Sequence, residues 1–272
     1  MTPIWVKAIA LPLAVFSALF GAVMVAGAVA LIDGVTAERS YVQTAELATG
    51  GTVRLDIPRG GVKIFTGPEA QVVVQEHDTT RALTRRLAQA ALDRLHTSVT
   101  STSSGVTITT VSEQPVVNFA TVGDRQLTVR VPASASLSVD AASASISITG
   151  VRGDITLNVA SGYISLSDMD VTGVATAHLA SGSIAFDGAI RGGKVDLRTV
   201  SGGVEASIPR GTNVHYDAST VSGAVIINRG GIPLPVPGRN GSGSSASGDI
   251  GSGGPATLTM EAVSGAVYLR VR

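Results

Sequence analysis

The sequence predicts an all-β fold, a β-solenoid or β-helix of coils of about 20 residues, with one short helix and a single N-terminal transmembrane helix ahead of it. Three observations predict it. A serine-centred motif returns at a nearly fixed spacing, apolar residues alternate on both sides of each copy, and the first 33 residues are largely apolar. Such a period is typical of repeat architectures, in which each unit buries its apolar face only against its neighbours.

The repeated motif reads Ala/Val-Ser-Gly-x-apolar-x-apolar, as in residues 160–166. Its serines are spaced 18, 20, 20, 21 and 42 residues apart, so the last gap holds two periods and lacks one copy. The copy at Ser143 has Ala144 in place of glycine, and a weaker first copy has Arg59 in the serine position. The residues predicted to form the repeat corners are Ser143, Ser161, Gly162, Ser181, Gly182, Ser201, Gly202, Ser222, Gly223, Ser264 and Gly265.

Apolar residues alternate with polar ones around each serine, which indicates strands with one buried face. The inward set lies on even offsets before the serine and on odd offsets after it. Such a change of phase turns the apolar set outward unless the chain bends there, so the Ser-Gly pair is predicted to be a corner. Glycine can adopt the positive φ that a corner requires. A β-helix is the first interpretation and a sandwich of short hairpins is the second.

Composition excludes several classes of function. The 272 residues include 20 Lys and Arg against 20 Asp and Glu, which gives no sign of a nucleic-acid partner. The chain has no cysteine, which excludes a disulfide scaffold, a thiolate metal site and a cysteine nucleophile.

The N-terminal segment is predicted to be a membrane anchor, residues 1–33. Residues 8–32 carry no charge, and a bilayer-spanning helix needs about 20 apolar residues. Lys7 precedes the segment and Asp33 follows it, so the positive-inside rule places the short N-terminus in the cytoplasm. We expect a single-pass cell-membrane protein with an extracytoplasmic repeat domain. The alternative is a cleaved signal peptide, with residues 28–30 as the cleavage site.

Three further segments complete the predicted organisation. Residues 34–50 are predicted to be a polar stalk, residues 51–272 the repeat domain, and residues 230–255 within it a mobile surface excursion rich in Gly, Ser and Pro. A helix between Arg81 and Leu95, capped by Thr79 or Thr80, should interrupt the β pattern. Its predicted apolar face consists of Leu83, Leu87, Ala91 and Leu95.

The combination of features resembles a known bacterial family. An N-terminal span precedes a degenerate strand pair ending in Gly-Gly-Val at residues 60–62, the strand LTVRVP at residues 127–132, and serial SGxIxL units. Over residues 40–272 the chain resembles the putative-adhesin β-strand-repeat domain of unknown function, which is common in envelope proteins. The resemblance implies a β-helical repeat domain outside the cytoplasm.

Charged residues at the turns between coils offer one candidate surface. Equivalent repeat positions, predicted to line one edge of the stack, are held by Arg152, Asp170, Arg191 and Arg210. This stripe could face an anionic envelope polymer. The alternative is a solvated edge, whose ion pairs contribute less than about 1 kcal/mol.

No catalytic, cofactor-binding or metal-binding residue is predicted. The repeated serines lack the G-x-S-x-G elbow of a hydrolase nucleophile, so a structural ladder explains them better. Asp168, Asp170 and Asp187 lie near one turn and could hold a Ca²⁺ ion, although turn aspartates ordinarily serve the turn itself.

The expected role is non-enzymatic binding, adhesion or assembly in the cell envelope, without a cofactor. Expected partners are the membrane, through residues 8–32, and an envelope polymer or protein. The alternatives are a sensor or accessory component of an envelope-stress system acting through a protein partner, and a polysaccharide-active enzyme, which would need clustered carboxylates. The last strand, Val267–Val271, is expected to leave an open edge for weak association of two copies.

Overall fold

The computed structural model describes residues 34–112, 120–230, 234–236 and 243–272, which form two compact units. The smaller unit contains the described residues up to Arg39, then Asp78–Leu95 and residues 120–124. The larger unit contains Ser40–His77, His96–Ser112 and the described residues from Arg125 to Arg272. The predicted anchor lies outside the described residues. Within them, no helix has both the length and the apolar character needed to cross a membrane.

Strands dominate the described residues, and one helix, α1, spans Arg85–Leu92. The strands of the N-terminal half are β1 Val35–Glu46, β2 Thr52–Thr66, β3 Gln71–Ala82, β4 Leu95–Thr102, β5 Gly105–Ser112 and β6 Ala120–Val131. The central strands are β7 Ser136–Thr149, β8 Ile155–Val171, β9 Val174–Ile190, β10 Lys194–Ser201 and β11 Val204–Ile208. The C-terminal strands are β12 Val214–Ser222, β13 Val225–Asn228, β14 Leu234–Val236, β15 Ser244–Ile250, β16 Thr257–Ser264 and β17 Val267–Val271.

The larger unit is a β-solenoid-like stack in which equivalent residues of neighbouring coils pair in parallel register. Ser143 pairs with Ser161, Ser161 with Ser181, and Ser181 with Ser201 along β7, β8, β9 and β10. Arg59 of β2 pairs with Ser143, which confirms the register predicted for the first copy. This parallel run supports the β-helix over the sandwich of hairpins, because hairpin strands are antiparallel.

The apolar core of this unit consists of the inward residues predicted from the repeat. In β8 the buried residues are Ile155, Leu157 and Val159 before the serine and Ile164 and Leu166 after it. Burying one such side chain contributes about 1.5–3 kcal/mol, so the stacked coils supply most of the stabilisation. The outward residues of the same strands stay available for contacts.

Chain order and spatial order differ in the C-terminal third. Strand β16 pairs in parallel with β10 on one side and with β12 on the other, and β17 pairs likewise with β11 and β13. Ser264 therefore lies between Ser201 and Ser222. The prediction of an open edge at Val267–Val271 is wrong, because pairing on both sides leaves this strand no free edge for a second copy.

The outermost strands come from the segment predicted to be a mobile excursion. Strand β15 pairs antiparallel with β12, from Val214 opposite Ile250 to Thr220 opposite Ser244, and β14 pairs antiparallel with β13. Ser244 and Ile250 are buried. The prediction is therefore wrong for these strands, because the repeat leaves β12 with an edge that β15 covers. Residues 231–233 and 237–242 lie outside the described residues.

The prediction of a polar stalk at residues 34–50 is also wrong. Residues 35–46 form β1, which pairs with β3, so the polar segment at 34–50 is a strand for most of its length and not a stalk. Polar residues conceal this strand because its exposed positions outnumber the buried ones.

Helix α1 is shorter than predicted and buries a different face. Strand β3 continues to Ala82, and Thr84 caps the helix by accepting a 3.3 Å hydrogen bond from the Leu87 amide. Leu83 and Leu87 are each 41% exposed, whereas Ala88 and Leu92 are buried. Leu83 precedes the helix, and Leu87 lies within it on its exposed face. The buried cluster of the smaller unit consists of Ala37, Ala82, Ala88, Leu92 and Leu95.

Candidate functional site

The corners with glycine require it for two reasons, the backbone conformation and the close approach of the neighbouring coil. Gly182 and Gly202 have φ values of 129° and 139°, a region that residues with a Cβ rarely adopt. A Cβ on Gly202 would collide with the carbonyl oxygen of Gly182, and a Cβ on Gly182 with that of Gly162. The corners therefore stack closely, and the serine before each glycine is exposed. In the degenerate copy Ala144 has no positive φ.

The residue before each corner serine is apolar and points outward. In spatial order these positions hold Ala142, Ala160, Ala180, Val200, Val263 and Val221. Val200, Val263 and Val221 are 55%, 48% and 66% exposed. They form a continuous apolar row across neighbouring coils, and such a row marks an interaction surface more often than an isolated residue does.

A groove of about 540 Å³ lies along part of this row, and we call it the corner groove. It crosses β8, β9, β10 and β16. Its apolar side consists of Ala160, Ala180, Val200 and Val263, and its polar side consists of Asn158, His178, Arg198 and Glu261. On each strand the apolar residue follows the polar one by two positions. Each set therefore occupies one equivalent position of the repeat.

Ion pairs position Arg198 and Glu261 on the polar side of the corner groove. Arg198 donates from Nε and Nη2 to the two carboxylate oxygens of Asp196, at 2.7 and 3.1 Å, and its Nη1 lies 3.1 Å from Glu261 Oε2. The hydrogen bonds to Asp196 raise the pKa of Arg198 above its ordinary value, so the guanidinium stays charged. A fixed polar wall beside an apolar floor suits a ligand that presents both apolar and polar groups.

The predicted charged stripe is only partly assembled. Arg191 Nε lies 2.6 Å from Asp170 Oδ1, so two of its four members meet. Arg152 and Arg210 are exposed, and neither forms an ion pair with another described residue. The exposed pair contributes at most about 1 kcal/mol.

The turn carboxylates do not converge on a metal site. Asp170 is paired with Arg191, and Asp187 accepts a hydrogen bond from Arg272. Asp168 has a φ of 53° at an irregularity in β8, a conformation that aspartate tolerates in turns. Among the described ranges, no three His, Cys, Asp or Glu side chains are placed to hold a metal ion.

A buried polar cluster in the larger unit escaped the sequence analysis. Arg125 donates from Nε and Nη2 to Glu76 Oε1, at 2.8 and 2.6 Å, and also to Thr97 Oγ1, at 2.8 Å. Glu76 is 2% exposed; burial raises its pKa, but hydrogen bonds from Thr97 and Tyr41 and the charge of Arg125 outweigh burial and lower it. Because these buried side chains bond to each other across β3, β4 and β6, the cluster stabilises the fold. The alternation of Val72, Val74 and Glu76 was the available signal, since it turns Glu76 inward.

The exposed apolar row along the corner groove could also have been predicted from the sequence. The Ala or Val before each serine falls on an odd offset, which the predicted inward set leaves outside. Combining this parity with stacked coils would have shown an exposed apolar row. The groove itself depends on which coils are neighbours, and spacing cannot supply that.

Comparisons with known proteins agree with this architecture. The family model Toastrack DUF4097 matches residues 50–265. No curated protein matches the chain. A putative cell adhesion protein from Clostridium sporogenes ATCC 15579 is 9% identical, with a TM-score of 0.50 over 87% of this chain and 100% of that one.

Two other solved structures align over similar lengths. A putative adhesin from Bacteroides fragilis NCTC 9343 is 10% identical over 86% of this chain and 97% of its own, with a TM-score of 0.28. One from Parabacteroides distasonis ATCC 8503 is 11% identical over 85% and 97%, with a TM-score of 0.26. The likeness to the Clostridium structure shows the fold alone. The family match covers most of the chain, which therefore belongs to the Toastrack DUF4097 family.

Proposed function

We propose that this chain is a non-enzymatic binding protein of the cell envelope, whose corner groove holds an apolar segment of another protein. The observation that carries the proposal is the exposed valine row along the groove, Val200 and Val263. Leaving such residues in water is unfavourable by roughly 25 cal/mol for each Å² that a partner would cover. A partner that covers the row recovers this free energy.

The chemistry of the groove favours a protein over a polysaccharide. A polysaccharide presents mainly hydroxyl groups, whereas the lining of this groove is alanine, valine and leucine beside a single polar wall. The guanidinium of Arg198 is already paired with Asp196 and with the carboxylate of Glu261. Apolar side chains of a partner fit this lining best.

The proposal also includes the location. Residues 8–32 anchor the chain in the membrane by a single span, and the repeat domain lies outside the cytoplasm. The length and composition of this segment support the anchor, and the cation Lys7 before it, with Asp33 directly after it, supports the orientation. A non-catalytic role is supported by the turn carboxylates, since Asp170 and Asp187 each pair with an arginine.

Co-purification of the full-length protein from detergent-solubilised membranes tests the groove. The double variant Val200→Ser/Val263→Ser should lose a partner protein that the wild type retains. Val174→Ser is the matched control, because Val174 is 45% exposed and does not line the groove. Equal recovery with all three proteins would contradict the proposal.

Two further readouts of the same preparation separate the alternatives. Binding of isolated envelope polysaccharide that the double variant loses would replace the protein partner with a polymer. A membrane-fraction protein of full mass supports the anchor, whereas a mature N-terminus at Val29 or Leu31 would show a cleaved signal peptide.

A further inference from the structure

Among the described residues, β14 and β15 are the outermost strands beyond β13 and β12, and they differ as edges. Strand β14, three residues long, contains Pro235, which lacks an amide hydrogen and cannot donate to another strand. Strand β15 has seven residues, Ser244–Ile250, and among the described residues it pairs only with β12. The β15 edge is therefore the place where a further strand can add.

Strand β15 lacks the features that usually protect an edge. Proteins block edges with lysine, proline, bulges or short strands. The sequence SSASGDI contains no lysine, arginine or proline, and its seven pairs with β12 run without interruption. The arginines nearest the C-terminus, Arg270 and Arg272, belong to β17 and the residue after it, and β17 lies between two other strands. These cations therefore do not lie on β15 and do not protect its edge.

The one charged residue of β15, Asp249, has a hydrogen-bond partner within the subunit. His215 Nδ1 lies 2.8 Å from Asp249 Oδ1, and the two residues are opposite each other on β12 and β15. The whole chain has equal numbers of acidic and basic residues, so two copies do not repel each other through net charge. Net charge therefore does not oppose self-association through this edge.

We propose that β15 is a strand-addition surface whose occupant is β15 of a second copy, paired antiparallel about a two-fold axis at Ser247. An antiparallel pair of identical strands is self-complementary, as a two-fold interface requires. In this register Ser245 lies opposite Asp249 of the second copy, so each carboxylate meets a hydroxyl and the two carboxylates stay apart. Ser245, Ser247 and Asp249 lie on the exposed face of β15, and their short side chains leave the edge accessible.

Single-cysteine cross-linking of the full-length protein in membranes tests the pairing. The chain contains no cysteine, so an introduced one has no background. Ser247→Cys places two thiols directly opposite each other, with Cβ atoms about 5 Å apart, and mild oxidation should give a disulfide-linked dimer. In the proposed register, two Ser245→Cys thiols are offset by four residues, about 14 Å, which a disulfide cannot bridge.

Thr156→Cys is the second control. Thr156 is exposed and holds the same repeat position as Asp217, which pairs with Ser247. Its strand β8, however, is paired on both sides. We expect several-fold more dimer from Ser247→Cys than from either control. Equal cross-linking of Ser247→Cys and Thr156→Cys would overturn the proposal, and so would a dominant adduct with a different protein. Stronger cross-linking of Ser245→Cys than of Ser247→Cys would overturn the two-fold register.

Discussion

The central coils and the C-terminal coils are built from the same motif but are ordered differently. Along β7, β8, β9 and β10 each coil pairs with the one that follows it in the chain. In the C-terminal third, the last coil inserts between two earlier ones. Corner contacts are the same in both regions, since the positions of Gly202 and Gly265 face a carbonyl of the neighbouring coil in the same way. The repeat therefore makes neighbouring coils compatible without specifying which coils are neighbours.

The largest expected effect concerns the corner that both regions share. Gly202→Ala combines a positive φ with a collision against the Gly182 carbonyl, so we expect a loss of more than about 4 kcal/mol in the free energy of unfolding. Gly192 has a φ of 111° and open space around its Cβ position, so Gly192→Ala should cost only the backbone strain, about 1–3 kcal/mol.

Gly211→Ala is the control for this series, because Gly211 has neither a positive φ nor a close neighbour and should lie within about 0.5 kcal/mol of the wild type. Denaturant unfolding measures all three variants. Similar losses for Gly202→Ala and Gly192→Ala would show that close stacking at the corner adds nothing to strain.

The next effect tests whether the last coil is interior. Leu166 in β8 and Leu269 in β17 hold the same repeat position and are 1% and 0% exposed. Both are paired on two sides, so Leu166→Ala and Leu269→Ala should each cost about 3 kcal/mol through the cavity that they leave. Leu87→Ala is the exposed control. A much smaller cost for Leu269→Ala in thermal or denaturant unfolding would mean that the last coil frays at an end.

The smallest effect concerns the pairing of β15 with β12. The hydrogen bond to Asp249, with the charges of Asp217 and Asp249, raises the pKa of His215 above its ordinary value of 6.5. A raised folded-state pKa stabilises below the unfolded pKa, and this stabilisation is lost as the pH rises through the folded pKa. The wild type should therefore melt slightly above His215→Gln near pH 5, and the difference should vanish by about pH 8.

His178→Gln is the matched control for this pH dependence, because His178 is also exposed but lies in the corner groove. The melting temperature of each variant is compared with that of the wild type across the same buffers. A difference for His215→Gln that does not change with pH would show that the imidazolium charge has no role in holding β15.

Much of the fold was predictable because period and parity are local properties. The alternation around Ser161 placed Leu157 and Leu166 inside, and the spacing placed Arg59 beside Ser143. The helix face was mispredicted because Leu83 and Leu87 share the spacing of a buried stripe, whereas the helix residues in the buried cluster are Ala88 and Leu92. Periodicity does not distinguish two faces that are both partly apolar.

The sequence by itself determined that this chain forms stacked coils with glycine corners, because strand alternation and the Ser-Gly period follow from side-chain chemistry along a few residues. Only the tertiary structure decided that β16 lies between β10 and β12, that β15 covers the outermost coil, and that Val200 and Val263 share one groove. The physical reason is that each coil offers its neighbours the same backbone hydrogen bonds and a similar apolar edge. The choice among such neighbours depends on contacts between residues far apart in the chain.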